Sequence, residues 1–250
     1  MFVKTIKTRP FVPPKDDLFS LLGEALSGLN LKEKSIIVLA SKIISIWQGR
    51  CIKMDEIKDK DELIKKEADF YLDRNKVPKG YVMLTVKDNI IIPTAGIDES
   101  NANGYFVLWP KNPFGAAKEI YNFIKENYYL NNFGIIIADS HCTPSRLGTT
   151  GISIAYYGFY PLKDYRGTKD IFGREMKISQ SNVADSLAAT AVFNMGEGNE
   201  QTPIAIIENI NFIKFEEFDP RKSNPLEIDR DDDIYAPLLK AIKWQKGGNN

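Results

Sequence analysis

Hydrophobic and polar positions along this chain switch repeatedly between a period of two and a period near 3.6, so strands and helices are expected to be interleaved. A strand is predicted at Phe2–Ile6, followed by TRPFVPPKDD, in which Pro10, Pro13 and Pro14 exclude helix and central strand alike and shape a loop. Leu18, Phe19, Leu22, Ala25 and Leu26 recur at helical spacing behind Asp16 or Asp17 as N-cap. Ser35–Ala40 (SIIVLA) then reads as a buried strand, with Ser41 and Lys42 just past its end. The charged stretch Met54–Lys79 keeps helical spacing and reads as a solvated helical excursion closed by Pro78-Lys79-Gly80. Tyr81–Val86 and Ile90–Pro93 flank Lys87-Asp88-Asn89 as a hairpin, and Tyr105–Trp109 is a further strand beyond the loop TAGIDESNANG. The remaining pattern predicts a helix at Phe114–Tyr128, a strand at Ile135–Ala138, a helix at Val183–Met195 ended by Gly196, a strand at Pro203–Ile207 and a helix at Tyr235–Trp244. Asp229–Asp233 reads as a linker and the terminal KGGNN as frayed. No regular βαβ period or internal repeat is present, which indicates a mixed α/β (α+β) class.

Composition narrows the possibilities. With 250 residues, 43% hydrophobic and 26% charged, the chain can bury a substantial core. Lysine plus arginine and aspartate plus glutamate both number 33, so there is no global basic field of the kind a nucleic-acid binder uses, and anion binding has to come from local clusters. Cys51 and Cys142 lie far apart without metal-finger spacing, which favours free thiols in a reducing compartment, and the cytoplasm is the expected location. The N-terminus lacks the apolar core of a signal peptide, and no stretch approaches the ~20 apolar residues of a membrane-spanning helix.

The richest chemistry lies in ADSHCTPSRLGTTGISIAYYGFYPLKDYRG, Ala138–Gly167, where an acidic turn is expected after the apolar strand, followed by glycine, arginine and hydroxyl residues. Asp98, Asp139, Ser140 and Glu197 all fall at strand or helix ends, and such hard oxygen donors suit magnesium or manganese; each taken alone fits a turn cap equally well. Gly196, Gly198 and the polar residues to Thr202 offer main-chain amides to a phosphate, or simply stop a helix. Neither a Walker-type loop nor a dinucleotide glycine fingerprint is present. Arg146, Arg166 and Arg174 are candidates to hold carboxylate or phosphate groups, with surface ion pairs as the alternative. His141 is the single histidine, and its adjacency to Cys142 argues against a catalytic pair, since neighbouring side chains rarely face each other productively.

Seven blocks taken in order give a more specific signal: SKIISIWQGR (Ser41–Arg50), AGIDESN (Ala95–Asn101), Asp139–Gly151, PLKDYRG (Pro161–Gly167), DIFGRE (Asp170–Glu175), ADSLAATA (Ala184–Ala191) and MGEGNEQTP (Met195–Pro203). Their order and spacing resemble the coenzyme F420-0:L-glutamate ligase family. The resemblance implies one domain over residues 1–250 with mixed sheets and flanking helices, a helical excursion at 54–80, a frayed tail at 245–250 and an intertwined homodimer. It implies an amide-forming ligase that uses GTP, or ATP, with Mg2+ or Mn2+ to join L-glutamate to an anionic acceptor through an acyl phosphate. F420-0 is the first acceptor; folate, and a non-catalytic nucleotide-binding module, are the alternatives. By position, Asp98, Asp139, Ser140 and Glu197 correspond to the family's metal ligands. Arg9, Pro10, Phe11, Val12, Ser41, Lys42 and Asn101, with Met195, Gly196, Gly198, Asn199, Glu200, Gln201 and Thr202, correspond to its nucleotide contacts. Arg146 and Arg166 are the catalytic candidates that would orient carboxylates or stabilise the transferring phosphoryl group. Two departures stand out: Ile46 and Gln48 replace a lysine and an acid of the common pattern, and Ser140-His141-Cys142-Thr143 keeps its hydroxyl but not its Gly-Arg pair.

Overall fold

A computed structural model describes residues 1–248. In chain order the elements are β1 (Phe2–Ile6), α1 (Leu18–Leu26), β2 (Ile36–Ala40), α2 (Ser41–Trp47), β3 (Cys51–Lys53), α3 (Lys60–Glu67), β4 (Phe70–Leu72), β5 (Leu84–Lys87), β6 (Ile90–Pro93) and β7 (Tyr105–Val107). They continue with α4 (Pro113–Tyr128), β8 (Gly134–Cys142), β9 (Thr149–Tyr157), β10 (Leu162–Asp164), β11 (Gln180–Asn182), α5 (Val183–Met195), β12 (Ile204–Glu208), α6 (Ala236–Ala241) and β13 (Gln245–Lys246).

The central sheet has the order β1-β12-β2-β8-β9 and is antiparallel except for the parallel pair β2/β8. Its central strands read IIVLA and GIII because both faces are covered. Ile37, Leu39, Ile135 and Ile137 pack towards α1, α2 and α4, whereas Ile36, Val38, Ile136 and Ala138 pack towards α5. The result is a helix–sheet–helix sandwich, a mixed α/β fold as expected. A second, four-stranded sheet, β13-β4-β5-β6, closes over its own cluster of Leu63, Ile64, Met83, Ala95 and Phe106.

Long amphipathic elements form where the periodicity placed them. Asp17 caps α1 by accepting from the amides of Phe19 and Ser20, while Asp16 is engaged by Arg9 instead. The β5/β6 hairpin turns at Asp88 and Asn89, with φ of 47° and 63°, the two-residue geometry that matches strand twist.

Four expectations are corrected. The 54–80 excursion is helical only in α3 and short 3-10 turns, because Phe70–Leu72 pair with β5 as β4. Asp139–Cys142 are not a turn: β8 runs on through them, its backbone laddered from Asp139↔Ile152 to Cys142↔Thr149. The C-terminal helix is confined to Ala236–Ala241. Gln245–Lys246 of the expected frayed tail instead pair with β4, and the Gly247 and Gly248 amides bond the carbonyls of Asp69 and Lys65; residues 249–250 lie outside the described residues.

Candidate functional site

The parallel pair β2/β8 places the end of β2 beside a strand that runs on. Ala40 sits opposite Ala138, so the next residues, Ser41 opening α2 and Asp139 extending β8, meet beyond the sheet's carboxyl edge. Ser41 Oγ donates to Asp139 Oδ2 at 2.9 Å, and the Ser140 amide donates to Asp139 Oδ1 at 2.7 Å. Open α/β sheets bind ligands at this kind of edge.

Two loops wall the floor. After α5 stops at Met195, the chain folds back through Glu200, whose Oε2 accepts from the Gly198 amide at 2.8 Å; Thr202 Oγ1 bonds the Met195 carbonyl at 2.5 Å. From the opposite side comes the loop after β6. Lys42 Nζ pairs with Asp98 Oδ2 at 2.7 Å and donates to the Ser100 carbonyl at 2.7 Å, and Asn101 Nδ2 reaches the Gly198 carbonyl at 2.7 Å, tying the two loops together. Arg9 stands at the rim, held by Asp16 at 2.7 Å and Glu24 at 3.2 Å.

These segments enclose a cavity of about 500 Å3, within the range of small-molecule sites. Arg9, Pro10, Phe11, Ser41, Lys42, Asp98, Asn101, Asp139, Ser140 and Met195 line it, as do Gly196, Glu197, Gly198, Asn199, Glu200, Gln201 and Thr202. Val12 does not: it is exposed, and its amide bonds Asp16 Oδ2 at 3.0 Å. Arg146 stands on the exposed turn between β8 and β9, and Arg166, near β10, is folded onto Asp164 at 2.5 Å; neither lines the cavity. Sequence reasoning did not place Ile43, Ser100 and Val192 in the lining, whereas Ile46 lines it at the position where the family pattern has a lysine. Ile43 and Ile46 are one helical turn apart on α2, a spacing that signals a shared face once α2 is known to be a helix.

Electrostatics separate the two aspartates. Burial pushes the Asp139 carboxyl up to about 6, against the pull of Ser41, the Ser140 amide and Lys42, and the negative charge of Asp98 pushes the same way as burial. Burial acts on Asp98 too, but the Lys42 ammonium and the Ser100 hydrogen bonds outweigh it and hold that carboxyl below its usual value. Among the described residues no three histidine, cysteine or acidic side chains are clustered as a ready-made metal site. Asp98, Asp139 and Ser140 nonetheless present only hard oxygen donors, and the poorly compensated Asp139 fits a divalent cation. Glu197 faces them from the α5 loop, near Thr149 Oγ1 at 3.3 Å.

Fold and cavity together define a mixed α/β protein with an acid- and amide-lined pocket at its parallel strand ends. The family model F420-0:Gamma-glutamyl ligase matches residues 6–209. The coenzyme F420:L-glutamate ligase of Methanococcus maripaludis (strain C7) is 36% identical over 201 residues, covering 75% of this chain and 81% of that protein. The like-named protein of Methanopyrus kandleri is 31% identical over 242 residues, covering 90% and 93%. That of Methanocaldococcus jannaschii is 35% identical over 203 residues, covering 76% and 81%. The chain belongs to the F420-0:gamma-glutamyl ligase family. None of these three relatives carries a folate name, so the folate alternative gains no support from them.

Proposed function

We propose that the protein is a γ-glutamyl ligase that joins L-glutamate to the terminal carboxylate of F420-0, using a nucleoside triphosphate and a divalent metal ion. The observation that carries this reading is the pairing at the strand ends: Ser41 on Asp139 and Lys42 on Asp98, two carboxylates and a cation facing one cavity in a chain of this family. Asp98, Asp139, Ser140 and Glu197 are the residues that would hold Mg2+ or Mn2+, whose charge, when bound, offsets that of the triphosphate.

The rest of the chemistry belongs to this chain's own groups. The amides around Gly196 and Gly198, with Lys42 and Asn101, would cradle phosphate oxygens. An acceptor carboxylate oxygen attacks the γ-phosphorus; the bond to the bridging oxygen breaks, and the nucleoside diphosphate leaves. The glutamate amine then attacks the acyl carbon of the acyl phosphate, loses a proton, and expels inorganic phosphate as the amide forms. Arg146 and Arg166 stand outside this chain's cavity, so a catalytic part for either would have to be played in the pocket of a partner subunit, in the homodimer that the family resemblance implies.

Mass spectrometry tests the reading. Purified protein with glutamate, Mg2+ or Mn2+, and GTP or ATP is expected to add glutamate residue masses to F420-0 only when nucleotide and metal are both present. Nucleotide-independent growth, or no product with either nucleotide and either metal, refutes it. Light scattering tests the dimer.

A further inference from the structure

The loop that brings Asp98 to the cavity enters it through a backbone conformation that L-residues avoid. Thr94, Ala95 and Gly96 follow β6 with φ of 55°, 54° and 69°, and the Ile97 amide closes onto the Thr94 carbonyl at 3.0 Å. This is a full left-handed turn of three consecutive residues, one more than the left-handed pair at Asp88 and Asn89, in a conformation that costs any residue with a Cβ. Immediately after it, Asp98 is locked by two backbone bonds to Val107, at 2.9 and 2.8 Å, and its carboxylate meets Lys42. The direction of the turn therefore sets where that carboxylate points.

Two side chains that do not line the cavity hold the turn. Thr85, fully buried in β5, accepts a hydrogen bond from the Ala95 amide on Oγ1 at 2.8 Å and donates one from its hydroxyl to the Ile92 carbonyl. Without that oxygen the buried Ala95 amide has no partner. Trp109, 2% exposed, packs closely against Gly96: a Cβ there would stand 2.3 Å from ring atom Cε3. The Trp109 indole is fixed in turn by donating to Asp88 Oδ2 at 2.7 Å in the β5/β6 turn. Thr85 from the small sheet and Trp109 from beyond β7 thus hold two successive residues of the turn, the Ala95 amide and the Gly96 α-carbon.

We infer that Thr85 and Trp109 are positioning residues for Asp98, holding the left-handed turn so that its carboxylate stays aimed at the cavity. The inference rests on the functional reading above only insofar as Asp98 is a metal ligand; the mechanical role of the turn does not depend on it. Groups that orient ligands typically change metal affinity by 10- to 100-fold when removed.

The test uses Thr85→Val, which keeps the side-chain shape and removes the hydroxyl, and Thr85→Ser, which keeps the hydroxyl. Two readouts are taken on the full chain: amide hydrogen exchange across residues 94–108, and Mn2+ binding by titration calorimetry. Thr85→Val is expected to speed exchange in that segment at least ~10-fold and to weaken Mn2+ binding by ~10-fold or more, with Thr85→Ser close to the parent in both. If Thr85→Val unfolds outright, Trp109→Phe, which removes both the indole atoms against Gly96 and the donor to Asp88, is expected to show the same exchange change. Unchanged exchange at 94–108 in a folded Thr85→Val protein overturns the inference, as does a serine variant as impaired as the valine one. The exchange contrast in a protein whose parent takes up no Mn2+ overturns the metal reading and leaves the turn's role standing.

Discussion

Asp139→Asn is expected to stabilise the metal-free protein at neutral pH while abolishing turnover. The carboxyl is raised to about 6 in the folded chain against a usual 3.8, because it is taken out of water with Asp98 as a neighbour. Between those values the folded protein keeps a proton that the unfolded chain has released. Protons bound by the unfolded state minus those bound by the native state is then negative, so stability falls as pH rises from about 4 to about 6 and stays lower above that. At about 1.4 kcal/mol per pH unit the gap corresponds to roughly 3 kcal/mol, and contact of the carboxylate with pocket water brings this towards roughly 2 kcal/mol. Asparagine keeps the shape without the charge: its oxygen can accept from the Ser140 amide while its Nδ2 donates to the Ser41 hydroxyl, which rotates to accept. For a chain of this length a gain of that size raises Tm by roughly 4–8 °C. Thermal melts in chelator at about pH 7.5 should show this rise, and melts at about pH 4 should show none. Added Mn2+ should stabilise the parent and not the variant. A variant that melts at or below the parent at the higher pH refutes the claim that this carboxylate is held against its solvation for function.

Three further outcomes follow from the same geometry. Lys42→Ala removes the ammonium shared by Asp98 and the Ser100 carbonyl, and steady-state kinetics should show the KM for nucleotide raised about 10- to 100-fold, as for loss of a charged hydrogen bond. Gly151→Val drives a side chain into the seam between β9 and α5, where even a Cβ would stand 2.6 Å from the Ala188 carbonyl and 2.7 Å from Val192 Cγ2; urea titration should show a loss of about 1–3 kcal/mol. Arg166→Ala breaks only the exposed pair with Asp164 within this chain, so Tm should stay at the parent value, and a fall in kcat at unchanged Tm would point to a contact with substrate or with a second copy of the chain.

Strongly periodic elements were legible in the sequence, and α5 begins and ends where its apolar spacing says, at Val183 and Met195. Short elements were not. All but two residues of α2 are buried (Ile43, Ile44, Ser45 and Ile46 with Ser41), so it shows no polar face and no helical stripe. The β8/β9 ladder continues past the core through Asp139, Ser140, His141 and Cys142, where backbone pairing alone holds polar residues in a strand, and period-two hydrophobicity cannot report that. The site divides in the same way. Residue types suited to metal and phosphate could be read one by one, but their meeting depends on the register of β2 against β8 and on the left-handed turn before Asp98, neither of which leaves a compositional trace.

The charge arrangement of the cavity narrows what it is built to receive. Arg9 and Lys42 are the two cations among its described lining residues, and each already faces an anion of this chain, Arg9 with Asp16 and Glu24 and Lys42 with Asp98. Asp139 is left with hydrogen bonds and no ion pair. An anion entering alone meets Asp139 and two cations that must first leave their partners, and at contact distance each unfavourable pair costs about 1–4 kcal/mol in a partly wet site. A divalent cation entering alone finds Asp139 but competes with the Lys42 ammonium for Asp98. Were both to enter, Asp98 and Asp139 would hold the cation and Lys42 would be free to turn towards phosphate oxygens, so the same groups would satisfy both ligands. A pocket whose fixed charges penalise either ligand singly and accommodate the pair is suited to a metal-bound polyphosphate, which is why the ligase reading is favoured over a simple anion-binding module.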